Sequence, residues 1–189
     1  LLQIYEAGGQ RGYDTTVPGP VALVAGDGQN DGVLHLWSIA RNISARSMRT
    51  LVKAGLIDGS AERALANKWR ERIRIKTPDV DSNILSLSGG NQQKVLFARA
   101  LGSDAGIILM DDPMRGVDVG TKLEVYELIR AEAEAGRTFV WYTTEIEELN
   151  NCDHVYVMRD GQIVADIARA DLNEEKVLQT SFRDQGGRE

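Results

Sequence analysis

Short apolar runs separated by longer helix-patterned stretches organise this chain. Val21 to Ala25, Ile107 to Met110 and Thr138 to Tyr142 carry little polar alternation, the pattern of strands buried on both faces. The first run breaks at Gly26-Asp27-Gly28 and again at Asn30-Asp31-Gly32, where glycine supplies turn geometry. From Trp37 to about Arg72 the pattern is mostly helical, interrupted at Gly55 to Ser60. Thr77-Pro78 ends this block, because the residue before a proline avoids helix. Residues 37–86 are therefore expected to form a small helical subdomain inserted between strands. Ser88 to Leu101 and Thr121 to Ala135 read as helices, the second stopped by Gly136. His154 to Met158 and Gln162 to Ile167 bracket Arg159-Asp160-Gly161, a hairpin with Asp-Gly at its turn. Asn173 to Phe182 closes as a helix, and residues 1–20, rich in Gly and Pro, read as loop. The expected fold class is α/β, with a parallel sheet covered on both faces.

Composition narrows the function classes. A chain of 189 residues, 42% of them hydrophobic, supports one globular domain with a real core. Its net charge of −6 argues against a nucleic-acid partner recognised by phosphate neutralisation. The basic stretch Arg63 to Lys76, with Glu62 and Glu71 mixed in, reads as a solvated helix face. Cys152 is the only cysteine, so no internal disulfide forms and a reducing compartment fits. With His35 and His154 the only histidines, a zinc cluster is not expected. No apolar run is long enough to cross a bilayer, and no signal-peptide pattern opens the chain. The first residue is Leu rather than Met, from which the natural N-terminus is expected to lie upstream.

Two segments carry chemistry. Leu87-Ser88-Gly89-Gly90-Asn91-Gln92-Gln93-Lys94 precedes a helical pattern. Ser88 suits an N-cap, the two glycines let backbone approach a bulky anion, and the helix aims free N–H groups and its positive dipole end at that anion. The second segment, Ile107 to Met110 followed by Asp111-Asp112-Pro113, is a buried strand ending in two carboxylates. The C-terminal edge of a parallel strand is where such a sheet presents oxygen ligands to a hard cation such as Mg²⁺.

Together the two segments resemble the ABC ATPase family. Leu87 to Lys94 is similar to its signature motif and Ile107 to Asp112 to its Walker B strand. Gly116-Val117-Asp118 is similar to its D-loop, and Asp27 followed by Gly32 to the segment around its Q-loop. The wording Asn91 to Lys94, with Arg115 to Gly120, most resembles one branch: the second nucleotide-binding half of duplicated ATPase subunits in bacterial monosaccharide importers of the ribose, galactose and xylose type. The resemblance implies a partial P-loop ATPase core with a helical subdomain, making one partial nucleotide-binding domain over residues 1–189. Its parts would be a Q-loop-like strand and turn at 21–36, the helical subdomain at 37–86, the signature, Walker B, D-loop and switch region at 87–170, and a C-terminal helix and tail at 171–189. It further implies ATP and Mg²⁺ as cofactors, a second ABC half and membrane permease subunits as partners, an indirect link to a sugar-binding protein, and residence at the cytoplasmic face of the plasma membrane. By residue, it implies that Ser88, Gly89, Gly90, Asn91 and Gln92 meet nucleotide held on the partner half. Asp118 falls in the D-loop, Asp111 serves Mg²⁺ indirectly, and Asp112 and Thr144 fall at the catalytic and switch positions.

The sequence departs from the family pattern at defined places. No G-x-x-x-x-G-K-[ST] occurs, and Gly8-Gly9 and Gly26 to Gly28 lack the following Lys. In the family that loop lies upstream of Val21, so an N-terminus cut away would account for its absence. The family's catalytic Glu falls at Asp112, whose carboxylate is retracted by about 1.5 Å. Its switch His falls at Thr144, and a hydroxyl does not replace a titratable ring. The Q-loop side chain falls at Gly26. Residues serving this half's own nucleotide are thus weakened while those serving its partner's are intact, which implies an asymmetric pair. Two rivals stand beside this reading: an ABC-type ATPase outside transport, and a non-hydrolytic interaction module that keeps the fold.

Overall fold

The structure, a computed structural model, describes residues 19–26 and 32–182. Residues 1–18 of the loop expected over 1–20, the turn residues 27–31 and the tail 183–189 lie outside the described residues, as does the Q-loop-like Asp27. The chain divides into two compact units, Leu1–Tyr142 and Thr143–Glu189.

In chain order the first unit runs β1 (Val21–Val24), α1 (Ile39–Ser44), α2 (Met48–Leu51), β2 (Val52–Lys53), β3 (Leu56–Ile57), α3 (Gly59–Arg72), α4 (Gly89–Leu101), β4 (Ile107–Asp111), α5 (Val119–Glu134) and β5 (Thr138–Tyr142). β1, β4 and β5 form a parallel sheet in that order. Leu23 and Val140 stand on either side of Leu109 in its register. β4 is the centre, and its Ile108, Leu109 and Met110 are fully buried. Phe97 and Val95 of α4 pack into the same core as Ile39 and Ile43 of α1 and Trp69 of α3. Each such side chain contributes on the order of 1.5–3 kcal/mol by leaving water. The block 37–86 therefore shares its core with the sheet and α4, rather than enclosing one of its own.

Three expectations are corrected here. The interruption at Gly55 to Ser60 is a two-stranded ribbon, β2 paired antiparallel with β3, turning at Ala54 and Gly55 with φ of 50° and 84°. α3 then starts at Gly59, because the Asp58 side chain accepts from the Ser60 and Ala61 amides. It ends at Arg72, where the helical pattern was expected to end, and Arg74 turns the chain with a left-handed φ of 55°. β5 is not the buried strand expected: Val140 and Tyr142 are exposed, because among the described residues no strand lies on its far side. The basic stretch is also more than a solvated face. Arg72 stacks on Trp69 and pairs with the buried Glu132 of α5, which Arg137 also holds at 3.0 Å.

The second unit is a hairpin and a helix: β6 (His154–Arg159), β7 (Gln162–Ala168) and α6 (Glu174–Phe182). Arg159 faces Gln162 across the turn Asp160-Gly161, with φ of 51° and 77°. Positive φ at both turn residues matches the right-handed strand twist, as the Asp-Gly dipeptide promised. Val155, Val157, Ile167 and Val177 form its core. No helix among the described residues is long and apolar enough to cross a membrane.

Candidate functional site

The starts of α4 and of the four-residue α2 lack the side-chain cap that opens the other helices of the first unit. Ser38 accepts from the Arg41 amide to begin α1, Asp58 caps α3, and Asp118 accepts from the Thr121 amide to begin α5. α4 begins at Ser88 with no side-chain cap. The Ser88 hydroxyl, which is exposed, instead accepts from Asn91 Nδ2 at 2.9 Å. The sequence reading of Ser88 as an N-cap is right for the backbone position and wrong for the side chain. The first-turn amides of α4 thus keep their donor capacity, at the end of the helix that favours negative charge.

Behind this start, side chains anchor the helix. Asn91 Oδ1 accepts from the Lys76 amide at 2.9 Å. Gln93 Nε2 donates to the Ala25 carbonyl at 3.2 Å, tying α4 to the end of β1. Gln92, 6% exposed, donates to the Leu87 carbonyl at 3.0 Å. That corrects the expectation for Gln92, whose side chain braces the turn from inside instead of facing outward. Gly90 sits against the start of α5: a Cβ there would stand 3.4 Å from both Asp118 Oδ2 and Thr121 Oγ1. Backbone and side-chain hydrogen bonds from Thr121 hold the Asp118 carboxyl below the usual carboxylate range. Asp118 is thus ionised at neutral pH and engaged as a cap.

The second carboxylate segment lies at the C-terminal end of β4. Asp111 is exposed and closes the strand opposite Tyr142. Asp112 leaves the strand with a left-handed φ of 46°, its amide donating to the Tyr142 carbonyl at 2.8 Å. Its Oδ1 is buried without a hydrogen-bond partner, and so is Trp141 Nε1. Gly26 fits closely here, since a Cβ on it would stand 2.3 Å from the Asp111 carbonyl oxygen. No cluster of three metal-binding side chains occurs among the described residues. An exposed carboxylate at a strand end does suit Mg²⁺, which keeps several waters and takes one or two carboxylates beside phosphate oxygens. The residues present therefore fit that ion as a shared ligand and not as a protein-enclosed one. Thr144 belongs to the second unit and is exposed. The turn that carries it is set by Thr143, whose hydroxyl accepts from the Glu145 amide and donates to the buried Glu148 at 2.6 Å.

Residues 26–115 match the ABC transporter family. The chain is 38% identical over 165 residues to the ribose import ATP-binding protein RbsA 1 of Streptomyces coelicolor, an overlap of 87% of this chain and 33% of that protein. This chain carries an ABC transporter segment. It is also 39% identical over 164 residues to the arabinose import ATP-binding protein AraG 2 of Burkholderia cenocepacia, covering 86% of this chain and 32% of that protein. The chain thus spans about a third of the length of the curated relatives it matches. Among solved structures, the ATP-binding cassette MJ0796, dimeric and bound to ADP and Pi, superposes with a TM-score of 0.67 at 23% identity, over 78% of this chain and 63% of that one. That likeness shows the fold: an α/β ABC cassette with a parallel sheet and helices. The ABC segment also contains an arrangement the sequence reading did not single out. Arg99, on α4, donates to the Gly32 and Asn42 carbonyls and to Asn42 Oδ1, each at 2.7 Å, while Asn42 holds the Leu34 amide at 2.8 Å. The only signal was a charged residue set within the apolar run Phe97 to Leu101.

Proposed function

We propose that this chain is the second nucleotide-binding half of the ATPase subunit of a bacterial sugar importer. In this reading its Ser88, Gly89, Gly90 and Asn91 complete an ATP site held by a partner ABC half, while its own site is slow or regulatory. The observation that carries the reading is the uncapped start of α4. A helix otherwise anchored by internal hydrogen bonds leaves its first amides and an exposed Ser hydroxyl for an anionic group. The ribose and arabinose import ATP-binding relatives support the sugar class and ATP. In this reading the chain also works with Mg²⁺, membrane permease subunits and, indirectly, a sugar-binding protein, at the cytoplasmic face of the membrane. Own-site weakness rests on Asp112 with its retracted carboxylate, on Thr144 at the switch position, and on Gly26, where no side chain fits. Asp111 would serve Mg²⁺ through the phosphates, and Asp118 would set the D-loop.

Steady-state ATP turnover of the full-length subunit carrying Ser88→Ala tests the reading. Losing a preorganised donor of this kind costs roughly 100-fold. Unchanged turnover in a folded variant removes the assignment of Ser88 to nucleotide. The 189-residue chain by itself is expected to bind Mg-ATP only weakly, having no phosphate loop. Calorimetric titration with a micromolar dissociation constant would contradict that.

A further inference from the structure

Lys94 lies on α4 beyond the Ser88-to-Gly90 turn and is 3% exposed. A buried ammonium is costly unless paired and hydrogen-bonded. Lys94 Nζ forms an ion pair with Glu124 of α5 and donates to the Arg74 carbonyl at 3.3 Å. The hydrogen bond from Lys94 Nζ to Glu124 is the main cause holding the Glu124 carboxyl below the usual range. One ammonium therefore joins α4, α5 and the turn that follows α3. Nearer the helix start the same three elements meet again. Gly90 abuts Asp118 and Thr121 of α5, and Asn91 takes the Lys76 amide while donating to Ser88 Oγ.

We propose that Lys94 is a positioning residue, fixing through Glu124 and the Arg74 carbonyl where Ser88 to Gly90 stand relative to Asp118. This rests on the reading that Ser88 meets nucleotide in trans. Lys94 itself is too deeply buried to touch a ligand, so its influence travels through the placement of the helix start. An exposed Lys–Glu pair would contribute little. Here one partner is almost wholly buried, and removing Glu124 leaves an unpaired charge inside the protein. Displacement of about 1 Å at a reacting site costs on the order of 100-fold, so a partial shift of the helix start costs a measurable fraction of turnover.

The test is ATP turnover of the full-length subunit with Ser88→Ala, Lys94→Met, the two combined, Lys94→Arg and Glu124→Gln. Lys94→Met is expected to lower kcat roughly 10-fold with KM for ATP little changed, and Lys94→Arg to recover most of that loss. In the Ser88→Ala background Lys94→Met should cost almost nothing further, because both act through one contact. Losses that multiply, or wild-type kcat in Lys94→Met, overturn the positioning role. If Lys94→Met does not fold, Lys94→Arg and Glu124→Gln decide. An active Arg variant beside an impaired Gln variant supports the role, and wild-type kcat in both overturns it. Unchanged turnover in Ser88→Ala fails the underlying reading, whereas a normal Ser88 effect beside an inert Lys94 fails only this inference.

Discussion

The start of α4 and the end of β4 belong to the same unit, yet the chain finishes them to different degrees. At α4, Asn91, Gln92, Gln93 and Lys94 each find a hydrogen-bond partner inside the protein, and what remains outward is backbone donor capacity and one hydroxyl. At the end of β4, Asp112 sits in a left-handed conformation with a buried, unpartnered oxygen, beside a strand whose Trp141 nitrogen is also unpartnered. A buried polar atom left without a partner costs about 1–3 kcal/mol. In the proposed reading, the face that would serve another molecule's nucleotide is completed by its own chain, whereas the carboxylate pair that would serve its own nucleotide depends on groups beyond these residues.

Three changes would break or sharpen that comparison, in descending order of effect. Gly89→Asp in the full-length subunit sets a carboxylate where the α4 start is to meet phosphate, and is expected to abolish turnover by roughly 100-fold or more while the fold survives. Turnover assays beside circular dichroism check it. Gly26→Ala should lower stability by roughly 3 kcal/mol, because the Asp111 carbonyl oxygen 2.3 Å from the added Cβ is backbone and cannot swing aside. Denaturant unfolding measures this. Asp111→Asn should weaken nucleotide retention in this half's own site with turnover largely kept, as filter-binding of labelled nucleotide can show.

A smaller effect concerns pH. The Glu124 carboxyl is depressed chiefly by Lys94, so its contribution to stability is present above the ordinary carboxylate range and is lost as pH falls through the lowered folded value. Acid unfolding of wild type and Glu124→Gln should therefore converge at low pH and differ near neutrality.

Strands and helix existence were legible because apolar runs and caps are local signals. Ser88 and Gly136, read as a helix start and a helix stop, stand at those places, whereas the caps Asp58 and Asp118 went unread. The β2–β3 ribbon was not legible, since two residues per strand are too few to show alternation. β5 misled for another reason: its apolar run matched a central strand, while its exposure is set by neighbours that no local pattern records. In the site, the residue types at Ser88 to Gly90 and Asp111-Asp112 were readable from spacing. The inward turn of Gln92, the Lys94–Glu124 pair and the Arg99–Asn42 network were not, because each joins residues brought together only by the packing of α4.

The central claim is that this half completes its partner's site and contributes little chemistry at its own. Asp112 can carry charge, but its carboxylate is short by about one bond, and a misplaced general base supplies little of the usual 100- to 10,000-fold. Steady-state ATP turnover of Asp112→Asn in the full-length subunit, measured beside the same change at the catalytic Glu of the other half, is the direct test. The account expects Asp112→Asn to keep most of the activity and the partner change to remove nearly all of it. Loss of nearly all activity from Asp112→Asn alone would mean that both sites fire, and the asymmetry would be contradicted.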